Sequence, residues 1–571
     1  MGRILLAALL LALLGCARKP PRFSTIAEEF VLNTLTFRPS LATAAGYHRH
    51  NGVPMDELLD EFSVPALDRQ RAYYQRFKAG LRRDVSREKL APEDQIDFDI
   101  VQQQIALGEF SMNESKDYAR DPLLYTGAFG TALFVPYTLE YAPEKARFYQ
   151  ILKRLERFRS RVEQAKDNLR AMPPFWIEMA RAANRANRDL IQELRAKRPP
   201  EMSKKFDAAA EEADRALADF DAFLAAAMPG PAEGWRLGPT LYAKKLALEH
   251  GRPLAPAALK AEAEAALLAT QQQMAKLAGF PGAWGAEARR AVRTKLDQLA
   301  TEHAPRDQYF AQAEADLAEA LAFVRAKDLL PLGDVKNLRV IATPAFQRGI
   351  YGVGGFNPAP AMQPELGAQY WLTPIPSDWP AERAESKLRE YNRYGLKLLT
   401  IHEAMPGHYV QFEAANRLEP RGRRLLRSVY ADGAFAEGWA VYATEMMLDA
   451  GYLEASPNLR LTFLKQQLRA ISNAILDVRL HTEKWSEDEA LRFLVEETFQ
   501  EEEEARAKLQ RAKLSSVQLT TYFAGYRDFR ALREKVEKKQ GAAFRLKEFH
   551  RVVLGLGAIP LAAAEAYLLA Q

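Results

Sequence analysis

Apolar residues recur at steps of three and four along most of the chain, with Ala, Glu, Arg and Lys between them. That period predicts amphipathic helices. The segments 144–184 and 206–228 are clear instances, the first divided by Pro173-Pro174, because proline lacks the N–H a helix interior needs. Charged residues on these segments, including the run 501–504, read as solvated helix faces with i,i+4 pairs. Pro229-Gly230-Pro231 and the stretch 234–239 mark a connection between helical blocks. Only 337–343 and 368–373 carry the β-branched and aromatic residues of strands, bounded by proline. Between them, 351–358 is a glycine-rich loop without the spacing of a nucleotide-binding turn. This small sheet would precede a helix starting near Glu385 and running into His402, with a further helix beginning near Asp432. No solenoid repeat is visible. The expected fold is mainly α, with two lobes around a cleft and a small β-sheet just before the motif helix, because a chain this long exceeds one simple core.

The first residues do not fit this globular pattern. Arg3 is followed by an unbroken apolar run of 11 residues, Ile4 to Leu14, too short to span a bilayer. Leu13-Leu14-Gly15-Cys16 matches a bacterial lipobox, and Cys16 is the only cysteine among 571 residues. Residues 1–15 therefore read as a lipoprotein signal peptide and 16–21 as an acylated Cys16 with a short tether. The folded body would be 22–571, its lobes about 22–330 and 331–571. The expected location is the cell envelope, with the membrane as partner through the N-terminal lipid. Ala17 in place of Asp after the cysteine favours the outer membrane where there is one. The 79 basic and 74 acidic residues, net +5, are too balanced to imply nucleic acid.

Candidate chemistry is concentrated in one place. Two of only eight histidines lie in His402-Glu403-Ala-Met-Pro-Gly-His408, and Phe-Ala-Glu437-Gly-Trp-Ala-Val-Tyr442 follows shortly after. A catalytic zinc needs three His or carboxylate ligands and one open position, plus a carboxylate off the metal to take a proton from water. His402, His408 and a downstream glutamate can supply the ligands, and Glu403 the base. Glu437 and Glu445, on one expected helix, are rivals for the third position. The spacing raises a difficulty. Residues six apart point about 240° away from each other on a regular helix, whereas the usual i,i+4 pair of a zinc helix shares a face. Pro406-Gly407 can break or bulge the helix and bring His408 back. Alternatively, the helix ends at Met405 and His408 is an ordinary loop residue.

The string His-Glu-Ala-x-Pro-Gly-His-Tyr-Val-Gln, then Ala-Glu-Gly-Trp-Ala-x-Tyr, resembles the signature of the bacterial family called domain of unknown function 885. Pro39 to His48, Arg479-Leu-His481-Thr-Glu-Lys-Trp485-Ser and Gln518-Leu-Thr-Thr-Tyr522-Phe-Ala-Gly525 are similar to further landmarks of that family, in the same order. The resemblance implies kinship with gluzincin-type zinc peptidases and a zincin-like fold. It further implies one Zn2+ per chain, held by His402, His408 and Glu437. Tyr409 stands where many members have a second adjacent histidine, which favours His408 as the ligand. Glu445, and with less support Asp477, would then hydrogen-bond the far side of a ligating imidazole. Tyr522 is the first choice for donating to the oxyanion and His481 the second. Arg479 and Arg527 are candidates for a substrate carboxylate. Tyr370, on a strand beside the metal, would meet a peptide that binds by strand addition. Gly438 would permit close helix approach, and Trp439 would wall the site. The expected activity is a lipid-anchored zinc metallopeptidase hydrolysing oligopeptides. Alternatives are a zinc amidase or esterase on cell-wall or ester substrates, or a non-catalytic binding lipoprotein.

Overall fold

The Ala-, Leu- and Glu-rich stretches fold as helices in the computed structural model, which describes residues 22–344, 348 and 351–570. The signal segment, the tether residues before 22 and Cys16 lie outside the described residues. The stretch 144–184 forms Glu144–Leu155, Phe158–Asn168 and the start of Pro174–Lys197, so it breaks at Pro173-Pro174 and once more after Leu155. Proline opens Pro92–Phe110, Pro174–Lys197, Pro239–Glu249, Pro256–Leu277 and Pro457–Thr482. At a first helical position its missing N–H has no partner to lose and its fixed φ suits the helix.

The apolar faces of these helices close on several cores. The largest draws on residues from Phe23 to Leu568, so both sides of residue 330 contribute to it. A separate core joins Phe129, Phe148, Phe158, Ile191, Phe206 and Phe220 from helices between 123 and 226. Pro457–Thr482 is buried along much of its length, and the lysine and arginines it carries, Arg460, Lys465, Arg469 and Arg479, are held in ion pairs. Gly433–Asp449 lies against Thr520–Gln540. Their tightest approach is at Gly438 and Gly525, where a Cβ on Gly525 would overlap the Ala434 carbonyl oxygen.

The small sheet has three strands. Ala368–Leu372 is central, parallel to Leu338–Ala342 with Val340 beside Tyr370, and antiparallel to Gly354–Asn357 with Phe356 beside Tyr370. The expected loop 351–358 thus supplies a third, edge strand. Gly354 permits that pairing, since a Cβ there would stand 2.5 Å from the Trp371 carbonyl oxygen. The helix expected to start near Glu385 is two helices, Ala381–Glu390 and Arg393–Glu403. Asn392 separates them, its Oδ1 accepting from the N–H groups of Tyr394 and Gly395 as an N-cap does. No helix among the described residues is long and apolar enough to cross a membrane.

Candidate metal centre

Arg393–Glu403 ends one residue after His402, and His408 opens the next helix, His408–Ala415. The Pro-Gly interruption therefore breaks the helix. The Gly407 N–H donates to the Ile401 carbonyl at 2.9 Å, folding the turn back on the helix it leaves. A Cβ at Gly407 would overlap the His402 carbonyl oxygen, so this turn has no room for a side chain. Trp439 fastens it from behind: its indole N–H donates to the carbonyls of Pro406 and Gly407 at 3.0 and 3.2 Å. The ring is fully buried and pins the turn, whereas the sequence suggested a wall of the open site. Trp439→Phe removes that donor from two buried carbonyls. A destabilisation of about 1–3 kcal/mol is expected, read as a lower denaturant midpoint at unchanged m-value.

The break sets the two imidazoles side by side, ring centroids 4.9 Å apart at 84°. Asp432 caps the helix bearing Glu437, its Oδ1 accepting from the Phe435 N–H at 2.7 Å. That helix delivers Glu437 Oε2 to 3.4 Å from His402 Nε2 and 3.5 Å from His408 Nε2. Although buried, this oxygen has no aligned hydrogen bond. Donor atoms of the three residues lie within 4.8 Å of one another, the one such group of three or more among the described residues. Tetrahedral ligands about 2.0–2.1 Å from one zinc stand roughly 3.3–3.4 Å apart. The contacts that Glu437 makes match that spacing, and an orphaned buried oxygen facing two ring nitrogens fits a shared cation. Burial pushes the Glu437 carboxyl up in pKa, but the two imidazoles outweigh it and hold it well below the usual carboxylate range. Glu437, not Glu445, is the third member.

Glu403, half-buried beside His402, does not belong to the convergent set. Burial raises its pKa to about 7; His402 and Arg511 oppose the shift and Glu437 adds to it. A carboxyl poised near neutrality can both take and return a proton. Tyr522 also reaches the site, its ring stacked 6.5 Å from that of His402. Its hydroxyl accepts from Arg511 Nη2 at 3.1 Å. His402, Glu403, Tyr522, Arg511 and Tyr351 line one cavity of about 550 Å³. On the other flank Phe356, from the edge strand, stacks 6.2 Å from His408.

The remaining candidates lie elsewhere. Tyr370 is in the central strand, fully buried, with its hydroxyl against Thr400 Oγ1 at 3.3 Å, so it cannot meet a substrate. The edge strands are Leu338–Ala342 and Gly354–Asn357, and it is the second that carries Phe356 beside His408. His481 is buried and already engaged at both nitrogens. Nδ1 accepts from the Leu237 N–H at 3.2 Å, and Nε2 donates to the Ser515 carbonyl at 2.9 Å. No nitrogen is left for an oxyanion. Asp477 accepts from the Tyr242 hydroxyl and the Val517 N–H at 2.6 and 2.7 Å, and so braces the same structural cluster instead of a ligating imidazole. Glu445 accepts from the Tyr526 hydroxyl at 2.8 Å, not from either histidine. Arg479 pairs with Glu264 at 2.8 Å and stacks on Trp485; Arg527 pairs with Glu262 and Asp528. Neither lines the cavity. Arg511 does line it and escaped the sequence reading. A lone arginine among many carries no local signal.

Comparison with known proteins places the chain in a family. The family model described as bacterial protein of unknown function (DUF885) matches residues 39–568, and the chain belongs to that family. A solved structure from Shewanella oneidensis, described as a candidate lipoprotein of unknown function, is 27% identical with a TM-score of 0.78. The match covers 96% of this chain and 99% of that one. A second structure, of a candidate lipoprotein from Colwellia psychrerythraea, shares the fold at 16% identity, TM-score 0.75, over 96% and 98% of the two chains. A search of curated proteins returns no match.

Proposed function

We propose that this chain is a zinc-dependent peptidase acting on oligopeptides at the cell envelope. The observation that carries the reading is the convergence of His402, His408 and Glu437, with His402 and a separate carboxyl, Glu403, lining one cavity. His402, His408 and Glu437 would hold a dication, which would supply Lewis acidity and make water at the site more acidic. Glu403 takes the proton from the attacking water and passes it to the leaving amine. Tyr522 faces the oxygen that becomes negative as the carbonyl is attacked, with Arg511 behind it orienting the hydroxyl. The edge strand Gly354–Asn357 offers unpaired backbone groups beside His408, where an extended peptide can pair.

The same reading takes the fold as zincin-like, with two lobes flanking the cleft, and the separate core within 59–224 supports it. Lipid on Cys16 would hold the enzyme to a membrane, a placement supported by the description of the Shewanella oneidensis neighbour as a candidate lipoprotein. Purified mature protein is expected to carry about one zinc per chain, as a three-ligand catalytic site does. Chelation should abolish peptide hydrolysis, and added zinc should restore it. Undiminished hydrolysis by metal-free protein would sink the proposal. Turnover of acyl esters or cell-wall amides alone would retain the metal site and reject the peptidase.

A further inference from the structure

The same cavity is lined by six cationic side chains and five carboxylates, and most of the cations are already committed. Arg469 pairs with Glu390 and Glu504, and Arg383 with Glu503. Lys387 donates to the carbonyls of Gly352 and Thr373, and Arg348 to that of Thr343. Lys508 and Arg511 differ. Lys508 is 8% exposed, and its ammonium makes one contact, 3.4 Å to the Arg469 carbonyl. No carboxylate lies within ion-pairing distance of it among the described residues. Arg511 bonds Gln518 Oε1 and the Tyr522 hydroxyl, both through Nη2 and both uncharged.

An ammonium taken out of water with no direct ion-pair partner is costly, and Glu504 and Glu390 act on Lys508 only from beyond ion-pairing distance. Burial and Arg469 lower the Lys508 pKa against the pull of Glu504 and Glu390, so the buried amine takes its charge most readily when an anion comes against it. Lys508 and Arg511 are three residues apart on Glu502–Leu514 and so share a helix face. Both line the cavity that holds Glu403. Arg511 is one hydrogen bond from Tyr522, whose ring lies over His402.

Resting on the peptidase reading above, we infer that Lys508 and Arg511 seat a free carboxylate of the substrate, its C-terminal one, so that the enzyme releases one or two residues from the C-terminus of an oligopeptide. The free guanidinium edge of Arg511 can take the two oxygens as a fork and the Lys508 ammonium adds a point charge. The carboxylate is then held within a residue or two of the peptide bond that water cleaves. In that cleavage the C–N bond breaks, the water oxygen joins the carbonyl carbon and the leaving amine gains a proton. An acidic side chain near the end of the substrate presents the same chemistry, and the test separates the two.

Three versions of one oligopeptide serve as probes: the free acid, its C-terminal amide, and an amide ending in Glu. Binding is measured by calorimetry on full-length Glu403→Gln, and cleavage products of the wild type by mass spectrometry. The free acid should bind about 10- to 100-fold more tightly than the plain amide, as expected when a charged hydrogen-bonding group is lost. Lys508→Met or Arg511→Met on the same background should shrink that ratio to about threefold or less, with the melting temperature confirming the fold. The wild type should release only C-terminal residues, and only from the free acid. Equal binding of acid and amide overturns the carboxylate seat, whether or not anything is cleaved. Discrimination that survives both Met variants overturns the assignment to these residues. Binding of the Glu-ended amide as tight as that of the free acid overturns C-terminal recognition in favour of an acidic side chain. Clear discrimination in binding with no hydrolysis of any probe keeps the seat and removes the peptidase reading.

Discussion

Glu403→Gln should lose peptide hydrolysis by about 10²- to 10⁴-fold, the range for removing a positioned acid–base group, with zinc content unchanged. Glu437→Ala should lose both activity and metal. The difference comes from geometry. Glu437 Oε2 stands 3.4 and 3.5 Å from the two imidazoles, whereas Glu403 is outside the convergent set. Glutamine keeps the size of Glu403 but can neither accept nor return the proton. Alanine at 437 leaves two histidine ligands, one fewer than a catalytic zinc site uses. Metal analysis of the two variants beside the wild type, with turnover of the best oligopeptide, reads both roles at once. Zinc retained in both proteins with wild-type turnover would show the cluster to be a structural ion pair.

Much of this site was legible in the chain itself. His402, His408 and Glu437 are brought together as the motif suggested, with Glu403 next to them, and Asp432 starts its helix where a capping residue should. Gly438 does mark a close helix crossing. Local rules reached that far because each of these features depends on a few neighbouring residues. What they missed depends on partners distant in sequence. The hydrogen bonds that commit His481 and Asp477 to structure come from Leu237 and Tyr242, 244 and 235 residues away. Arg511 reaches the site only because Glu502–Leu514 packs along the cavity, a consequence of tertiary packing with no trace in local spacing. The third strand was hidden for a different reason. Gly354-Gly355-Phe-Asn has the composition of a loop, yet Gly354 is what allows it to approach Trp371 closely enough to pair. The break at Asn392 was local in cause, but asparagine within a helical run is ambiguous until its side chain is seen to cap.

Gly407→Ala is the substitution expected to damage the site most without touching a ligand. The new methyl would overlap the His402 carbonyl oxygen and stand 2.5 Å from that of Ile401. These are backbone atoms at the end of Arg393–Glu403, so relief requires that the helix end and the turn move apart. His402 and His408 flank that turn, and the carbonyls of Pro406 and Gly407 also receive the Trp439 N–H. Separating them therefore splays the two imidazoles and loosens the indole together. Overpacking of this kind costs about 1–3 kcal/mol, and displacing the support of metal ligands lowers affinity roughly 10- to 100-fold. The expected outcome is a lower melting temperature and partial loss of zinc on dialysis against a weak chelator. Gly80→Ala supplies the contrast, because Gly80 lies within Val64–Asp84 with nothing near its missing Cβ. There alanine should stabilise by about 0.5–1 kcal/mol through helix propensity and leave zinc affinity unaltered. If Gly407→Ala melts and binds zinc like the wild type, the close-packed turn does not hold the two histidines together, and the six-residue spacing would need another explanation.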